Sequence, residues 1–302
     1  MMASSPGLIP GAAGVYASAA PWADIVTRPV DGFETDIALA AASDGEWAGE
    51  IQPGWDTPRG PLGGYVMAIL LRGFELTVDD PDRSARSISV HFLRSPSAGP
   101  VTVRAVEERR GRSLSTVSGR LEQEGKLIAL GLGAHSIAWE SPLLDGPPMP
   151  EVEPPDPAQR PGPERVDLDD TRRPDRPPFT QRLSMQPRFG EPPFSAADEG
   201  LVGGWLGLRE RRPLDAPAVA MLADAWPPAP WPRLAELAPA PTVDLTVHFR
   251  APLPLPDSLL LGRFTSRLVR DGFFDEDGEL WTPDGALVAQ SRQLGLLLGA
   301  SI

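Results

Sequence analysis

The sequence predicts an α+β protein of two tandem units, each a long antiparallel sheet wrapped around one buried helix. Three observations predict it. A Pro-rich stretch divides the 302-residue chain nearly in half. Each half presents the same order of elements: two strand-like segments, one helix candidate that is apolar nearly all round, then several more strands. Short strings also recur at nearly constant offset. A helix without a polar face needs cover on most of its sides, and a long sheet curled around it supplies that cover.

Residues 1–29 are rich in small residues, with no basic residue before their apolar part, and read as a flexible leader rather than a secretory signal. The first unit spans 30–140. Its strand candidates are 33–39 and 47–51, followed by the apolar helix candidate 61–71, from Pro61 through Gly63-Gly64-Tyr65 to Leu71. Strand candidates at 87–92, 101–106, 113–121 and 127–133 follow, separated by polar or glycine turns. The stretch 141–178 carries Pro147-Pro148, Pro154-Pro155 and Pro161, interspersed with acidic residues. That proline density excludes helices and central strands, and the stretch reads as a solvated, semi-extended linker.

The second unit, 179–302, offers strand candidates at 179–186 and 203–209, then a helix candidate at 216–226. Pro217 suits its first turn, and Pro227-Pro228 ends it. Strand candidates follow at 242–249, 259–266, 278–281 and 287–294. Val90-His91-Phe92 returns as Val247-His248-Phe249 after 157 residues, and Gly125-Lys126-Leu127-Ile128-Ala129 returns as Gly285-Ala286-Leu287-Val288-Ala289 after 160. Two matches in one order and nearly one register indicate duplication of a domain rather than a short-period solenoid.

Composition narrows the chemistry. With no cysteine, the chain has no disulfide, thiolate metal site or cysteine nucleophile. A net charge of -13 opposes polyanions, so nucleic acid is not an expected partner, and a phosphate-bearing ligand needs a local basic patch. No apolar run is long enough to span a bilayer, and a cytoplasmic location is the default expectation. The three histidines lack metal-ligand spacing, so neither a metal nor another cofactor is expected.

The chain resembles the TesB-like acyl-CoA thioesterases in their double hot-dog form. The likeness lies in the order of several short strings: Gly60-Pro61-Leu62-Gly63-Gly64-Tyr65, Ser89-Val90-His91-Phe92-Leu93-Arg94, Arg109-Arg110-Gly111-Arg112-Ser113, Leu222-Ala223-Asp224-Ala225, Thr242-Val243-Asp244 and Ser291-Arg292-Gln293. The resemblance implies the hot-dog fold and hydrolysis of an acyl-CoA. It also implies a water held by an Asp late in the second helix, a Thr opening the next strand and a Gln in the final strand. By position these are Asp224, Thr242 and Gln293.

The residue chemistry agrees with that implication. The chain has no Cys and no Gly-x-Ser-x-Gly elbow, which leaves water as the nucleophile. Asp224 is able to accept its proton, while a Thr hydroxyl and a Gln amide fix its orientation. The amides of Gly63 and Gly64, at the positive end of a helix, suit an oxyanion, and glycine there serves close packing equally well. Arg112 is the candidate for a CoA phosphate, and a basic turn that merely aids solubility is the competing reading. Two functional alternatives stay open: a hot-dog enoyl-CoA hydratase and a non-catalytic acyl-CoA binder. Fusion makes one chain equivalent to a dimer, and further pairing into a homodimer or higher homo-oligomer is the remaining partner expectation.

Overall fold

The computed structural model describes residues 32–142, 144, 146–160 and 177–299. The leader 1–29 lies outside them. Secondary structure runs α1 (Phe33–Asp36), β1 (Ala40–Ser43), β2 (Glu46–Ile51), β3 (Asp56–Thr57), β4 (Gly60–Pro61), α2 (Gly63–Val78), β5 (Ser84–Phe92), β6 (Gly99–Arg110), β7 (Leu114–Gln123) and β8 (Lys126–Ser136) in the first half. The second half supplies β9 (Leu183–Phe189), β10 (Gly200–Leu208), α3 (Ala216–Leu222), β11 (Thr242–Phe249), β12 (Leu260–Ser266), β13 (Val269–Arg270), β14 (Phe273–Trp281) and β15 (Leu287–Leu296). One antiparallel sheet takes the order β1-β2-β6-β7-β8-β5-β11-β15-β14-β12-β10-β9, with β13 beside β14.

The two halves meet where β5 pairs with β11. Ile88 lies opposite Val247, Ser89 opposite Thr246, and Val90 opposite Leu245. These pairs are mirror-related under the repeat offset of 157 residues, which also carries Ser89 onto Thr246. Such reciprocal pairing is what a two-fold interface produces. The Ser89 and Thr246 hydroxyls bond across this centre at 2.8 Å.

Helix α2 lies against β5, β6, β7 and β8 on one side and against α3 on the other. Covered in this way, it buries side chains all around, including Tyr65, Met67, Ile69, Leu70, Leu71 and Phe74. Each large apolar side chain so placed contributes about 2 kcal/mol of transfer free energy. One apolar core runs through both halves. No helix among the described residues is long and apolar enough to cross a membrane.

A buried polar clasp also joins the halves. Arg182 reaches Asp36 at 2.5 Å and donates to the carbonyls of Gly54 and Pro53 at 3.0 and 2.9 Å. Its guanidinium lies 4.6 Å from the centre of the Trp55 ring, whose Nε1–H donates to Asp36 at 2.9 Å.

Several expectations need correction. Residues 33–36 form α1 instead of a strand, because Phe33 and Asp36 both turn inward to the Trp55 cluster, a contact that an extended strand would not give them. The second helix stops at Leu222, four residues before the expected end. The Pro-rich connection is largely exposed along 146–160, as a linker should be, but it is docked on the second half rather than free. Its carbonyls accept from Trp281 Nε1 (Pro147, 3.2 Å), Trp205 Nε1 (Glu153, 2.8 Å) and Arg188 (Pro154, 3.0 Å), and Met149 and Val152 pack against the apolar cluster that contains both tryptophans. Proline carbonyls remain acceptors although proline nitrogens cannot donate, so a Pro-rich strap satisfies tryptophan N–H groups.

Candidate active site

Asp215 caps the start of α3 by accepting from the Ala218 amide at 3.1 Å, and Pro217 occupies the first turn. At the other end the last turn tightens, with Asp224 N–H donating to the Met221 carbonyl at 3.2 Å. Asp224 therefore sits just past the helix, on a turn that points at the amino end of α2. Its Oδ2 accepts from the Gly64 amide at 2.6 Å.

This contact requires glycine. A Cβ on Gly64 would stand 2.7 Å from the Met221 carbonyl oxygen and 2.8 Å from the Asp224 Cβ. On Gly63 it would stand 3.0 Å from Asp224 Oδ2 and 3.3 Å from the Phe92 ring. The glycine pair thus lets the two helix ends meet. The Gly64 amide is occupied by Asp224, whereas the Gly63 N–H, first in the helix, has no intrahelical acceptor.

Burial drives the Asp224 carboxyl up to about 7, and the Gly64 hydrogen bond only partly opposes that shift. A carboxylate with this affinity is matched to proton transfer near neutral pH.

Thr242 opens β11 and Gln293 lies in β15. The Thr242 hydroxyl donates to Gln293 Oε1 at 3.2 Å, so the structure brings these two together. Gln293 is buried, and its Nε2 donates to Glu276 Oε1 at 3.0 Å. Glu276 Oε2 in turn accepts from the Ala229 amide at 2.6 Å, on the loop that follows Asp224. Burial, with the Asp224 charge close by, pushes Glu276 up to about 8. Asp224 itself makes no hydrogen bond to Thr242, Gln293 or Glu276; its one side-chain hydrogen bond is to Gly64.

Sequence reasoning missed Glu276. It stands in the run Asp275-Glu276-Asp277, which reads as a solvated acidic edge. The usable signal was strand alternation: Phe274, Glu276, Gly278 and Leu280 share one face of β14, and that face is buried.

Arg112 is not brought to this site. Its carbonyl and that of Gly111 accept from Arg83 in the β6–β7 turn, where neighbouring Arg110 donates to the Val78 carbonyl at the carboxyl end of α2. The amino end of this 16-residue helix, next to Asp224, is about 24 Å away. Sequence spacing did not show at which end of the helix the hairpin folds. A cleft of about 380 Å³ lies at that distal end beside Glu75 and Arg83, and one of about 360 Å³ lies over Arg263, Arg267 and Arg292. His91 and His248 occupy strands β5 and β11, and buried His135 occupies β8, where burial lowers it to about 4 and keeps it neutral.

Comparison with known proteins gives the chain its family. Residues 51–136 match the family profile of the acyl-CoA thioesterase N-terminal domain, and 153–297 match that of the acyl-CoA thioesterase C-terminal domain. No curated protein matches the sequence. A conserved protein of hot-dog fold from Alicyclobacillus acidocaldarius is similar at 25% identity with a TM-score of 0.74, over 88% of this chain and 97% of that one. A candidate thioesterase II from Thermobifida fusca is similar at 28% identity with a TM-score of 0.72, over 89% of this chain and 99% of that one. The acyl-CoA thioesterase II TesB2 of Mycobacterium marinum shares the fold at 22% identity and a TM-score of 0.69, over 89% of this chain and 99% of that one. With the two profiles accounting for about three quarters of its length, the chain belongs to the acyl-CoA thioesterase family and is a thioester hydrolase.

Proposed function

We propose that the chain hydrolyses acyl-CoA thioesters to free acid and CoA with a water activated by Asp224 and oriented by Thr242 and Gln293. The observation that carries this is the hydrogen-bonded chain from half-buried Thr242 through buried Gln293 to buried Glu276, together with a carboxyl raised to about 7 at the amino end of α2. One O–H of the water donates to Asp224 and the other to the Thr242 oxygen. The second N–H of the Gln293 amide remains for the water oxygen, since only one is given to Glu276. The water oxygen attacks the carbonyl carbon while Asp224 takes its proton. The oxyanion forms at the Gly63 amide, where the helix dipole favours negative charge. The C–S bond then breaks, and the departing thiolate recovers the proton from Asp224. Gly64 takes a different role from Gly63, because its amide orients the base.

The reading includes two hot-dog units, 30–140 and 179–302, each built on one helix and joined at β5 and β11, with 141–178 connecting them. The reciprocal register around Ser89 and Thr246 supports this. A cytoplasmic location and a homodimer or higher homo-oligomer belong to the same proposal. The hydratase alternative finds no support, since neither α2 nor α3 contains a histidine.

Release of free thiol from acyl-CoAs of acetyl to palmitoyl length tests the proposal. Asp224→Asn is expected to lose about a thousandfold in kcat with its circular dichroism unchanged. Full activity in that variant sinks the assignment. Tight acyl-CoA binding with no thiol release at any length replaces it with the non-catalytic alternative.

A further inference from the structure

The hydrogen bonds around Gln293 run in one direction, and Glu276 fixes that direction. A side-chain amide is asymmetric, with a donor end and an acceptor end, so the way it faces determines what each neighbour must do. Here Gln293 turns its nitrogen to Glu276 at 3.0 Å and its carbonyl to Thr242 at 3.2 Å. Both oxygens of Glu276 act as acceptors, one from Gln293 and one from the Ala229 amide at 2.6 Å. Glu276 lies directly across the β14–β15 ladder from Gln293, and both side chains are only 7% exposed, so water has little room to replace either bond.

We propose that Glu276 is a positioning residue. By accepting from the Gln293 nitrogen it turns the Gln293 carbonyl to Thr242, commits the Thr242 hydroxyl to donating there, and leaves the Thr242 oxygen to receive a proton from the attacking water. The inference rests on the water-directed reading of Asp224, Thr242 and Gln293. With both of its protons donated, one to Asp224 and one to Thr242, the water has a lone pair left for the thioester carbonyl. If the amide were reversed, Gln293 would donate to Thr242, the freed hydroxyl would donate to the water, and that lone pair would be engaged.

Replacement by glutamine isolates this effect, because shape is kept while one acceptor becomes a donor. The Ala229 amide, already pointing at one end of the side chain, forces the new carbonyl to that end. The new NH2 then faces Gln293 and obliges it to reverse. As a carboxylate, with both oxygens accepting, Glu276 presents an acceptor to Gln293 in the arrangement seen; an amide in its place does not.

The test compares wild type with Glu276→Gln, with Thr242→Val, with the double variant Glu276→Gln/Thr242→Val, and with Asp224→Asn, using thiol release and thermal melting. Without the Thr242 hydroxyl, the direction that Glu276 sets has no proton left to control. Glu276→Gln is expected to melt no lower than wild type and to lose about tenfold in kcat with KM within twofold, while in the Thr242→Val background the same replacement costs less than about twofold. Wild-type kcat in Glu276→Gln, or a tenfold loss that persists in the Thr242→Val background, overturns the inference. Full activity in Asp224→Asn instead identifies the reading of the water site as the part that failed.

Discussion

Gly64→Ala separates the packing role of the glycine pair from its amide chemistry, because the variant keeps the N–H that binds Asp224. The added methyl would lie 2.7 Å from the Met221 carbonyl oxygen, 2.8 Å from the Asp224 Cβ and 3.0 Å from the Met221 Cα. Carbon atoms prefer separations of about 3.5–4.0 Å, so the end of α3 has to retreat by about 1 Å. Two of the three obstructing atoms belong to the backbone, so rotamer changes cannot relieve the clash. Overpacking of this kind costs about 1–3 kcal/mol, offset by up to about 1 kcal/mol from the better helix propensity of alanine. A net cost of about 1–2 kcal/mol is expected from these two effects, which for a chain of this size lowers Tm by roughly 2–8 °C. The functional effect is larger, since displacing a catalytic group by about 1 Å costs on the order of a hundredfold in rate. Thermal melting and chromogenic thiol release measure the two effects independently. Gly63→Ala serves as the comparison, because its methyl meets only side-chain atoms, at 3.0 Å or more, and a smaller Tm change is expected. A Gly64→Ala protein with unchanged Tm and kcat within twofold of wild type would refute the account of how α2 and α3 hold Asp224.

Further outcomes follow from the same structure. Asp36→Ala strips Arg182 and Trp55 of a shared buried acceptor. A loss of about 3–5 kcal/mol is expected, with activity per folded molecule retained; a Tm within 2 °C of wild type contradicts the clasp. The value of kcat is expected to rise with pH through about 7 as Asp224 ionises into the active base, and a profile flat from pH 5 to 9 contradicts that role. The same raised affinity has an opposite consequence for stability. A carboxyl that binds its proton more tightly when folded contributes stability that is fully present below its ordinary value of 3.8 and is lost as pH rises through about 7. Asp224→Asn is therefore expected to flatten part of the decline in denaturant midpoint between pH 4 and 8, and an unchanged slope counts against the burial of this group.

Much of the architecture was legible because it rests on local patterning. The apolar run at α2, the proline stop after α3 and the recurring Val-His-Phe strands all express constraints that act within a few residues. The elements that were misread depend on distant partners. Phe33 and Asp36 leave the strand pattern because Trp55 and Arg182 draw them inward. The strap at 146–160 is held by tryptophans that follow it by more than fifty residues, so its own composition suggested only a solvated linker. The candidate site divides in the same way. Asp224, Thr242 and Gln293 were identified through resemblance. Glu276 was hidden between two aspartates whose charge suggested solvent, although its strand alternates cleanly. Which end of α2 Arg112 occupies was not readable, since a hairpin's spacing does not state where the hairpin folds.

The central claim is that a water molecule, rather than a protein oxygen, attacks the thioester. A single turnover in H2(18)O with enzyme in excess over acyl-CoA tests it directly. The account predicts one heavy oxygen in the released acid after the first turnover and none in the Asp224 carboxyl. Light oxygen in the acid, with label appearing in Asp224, would show that the carboxylate itself had been acylated and would contradict the account.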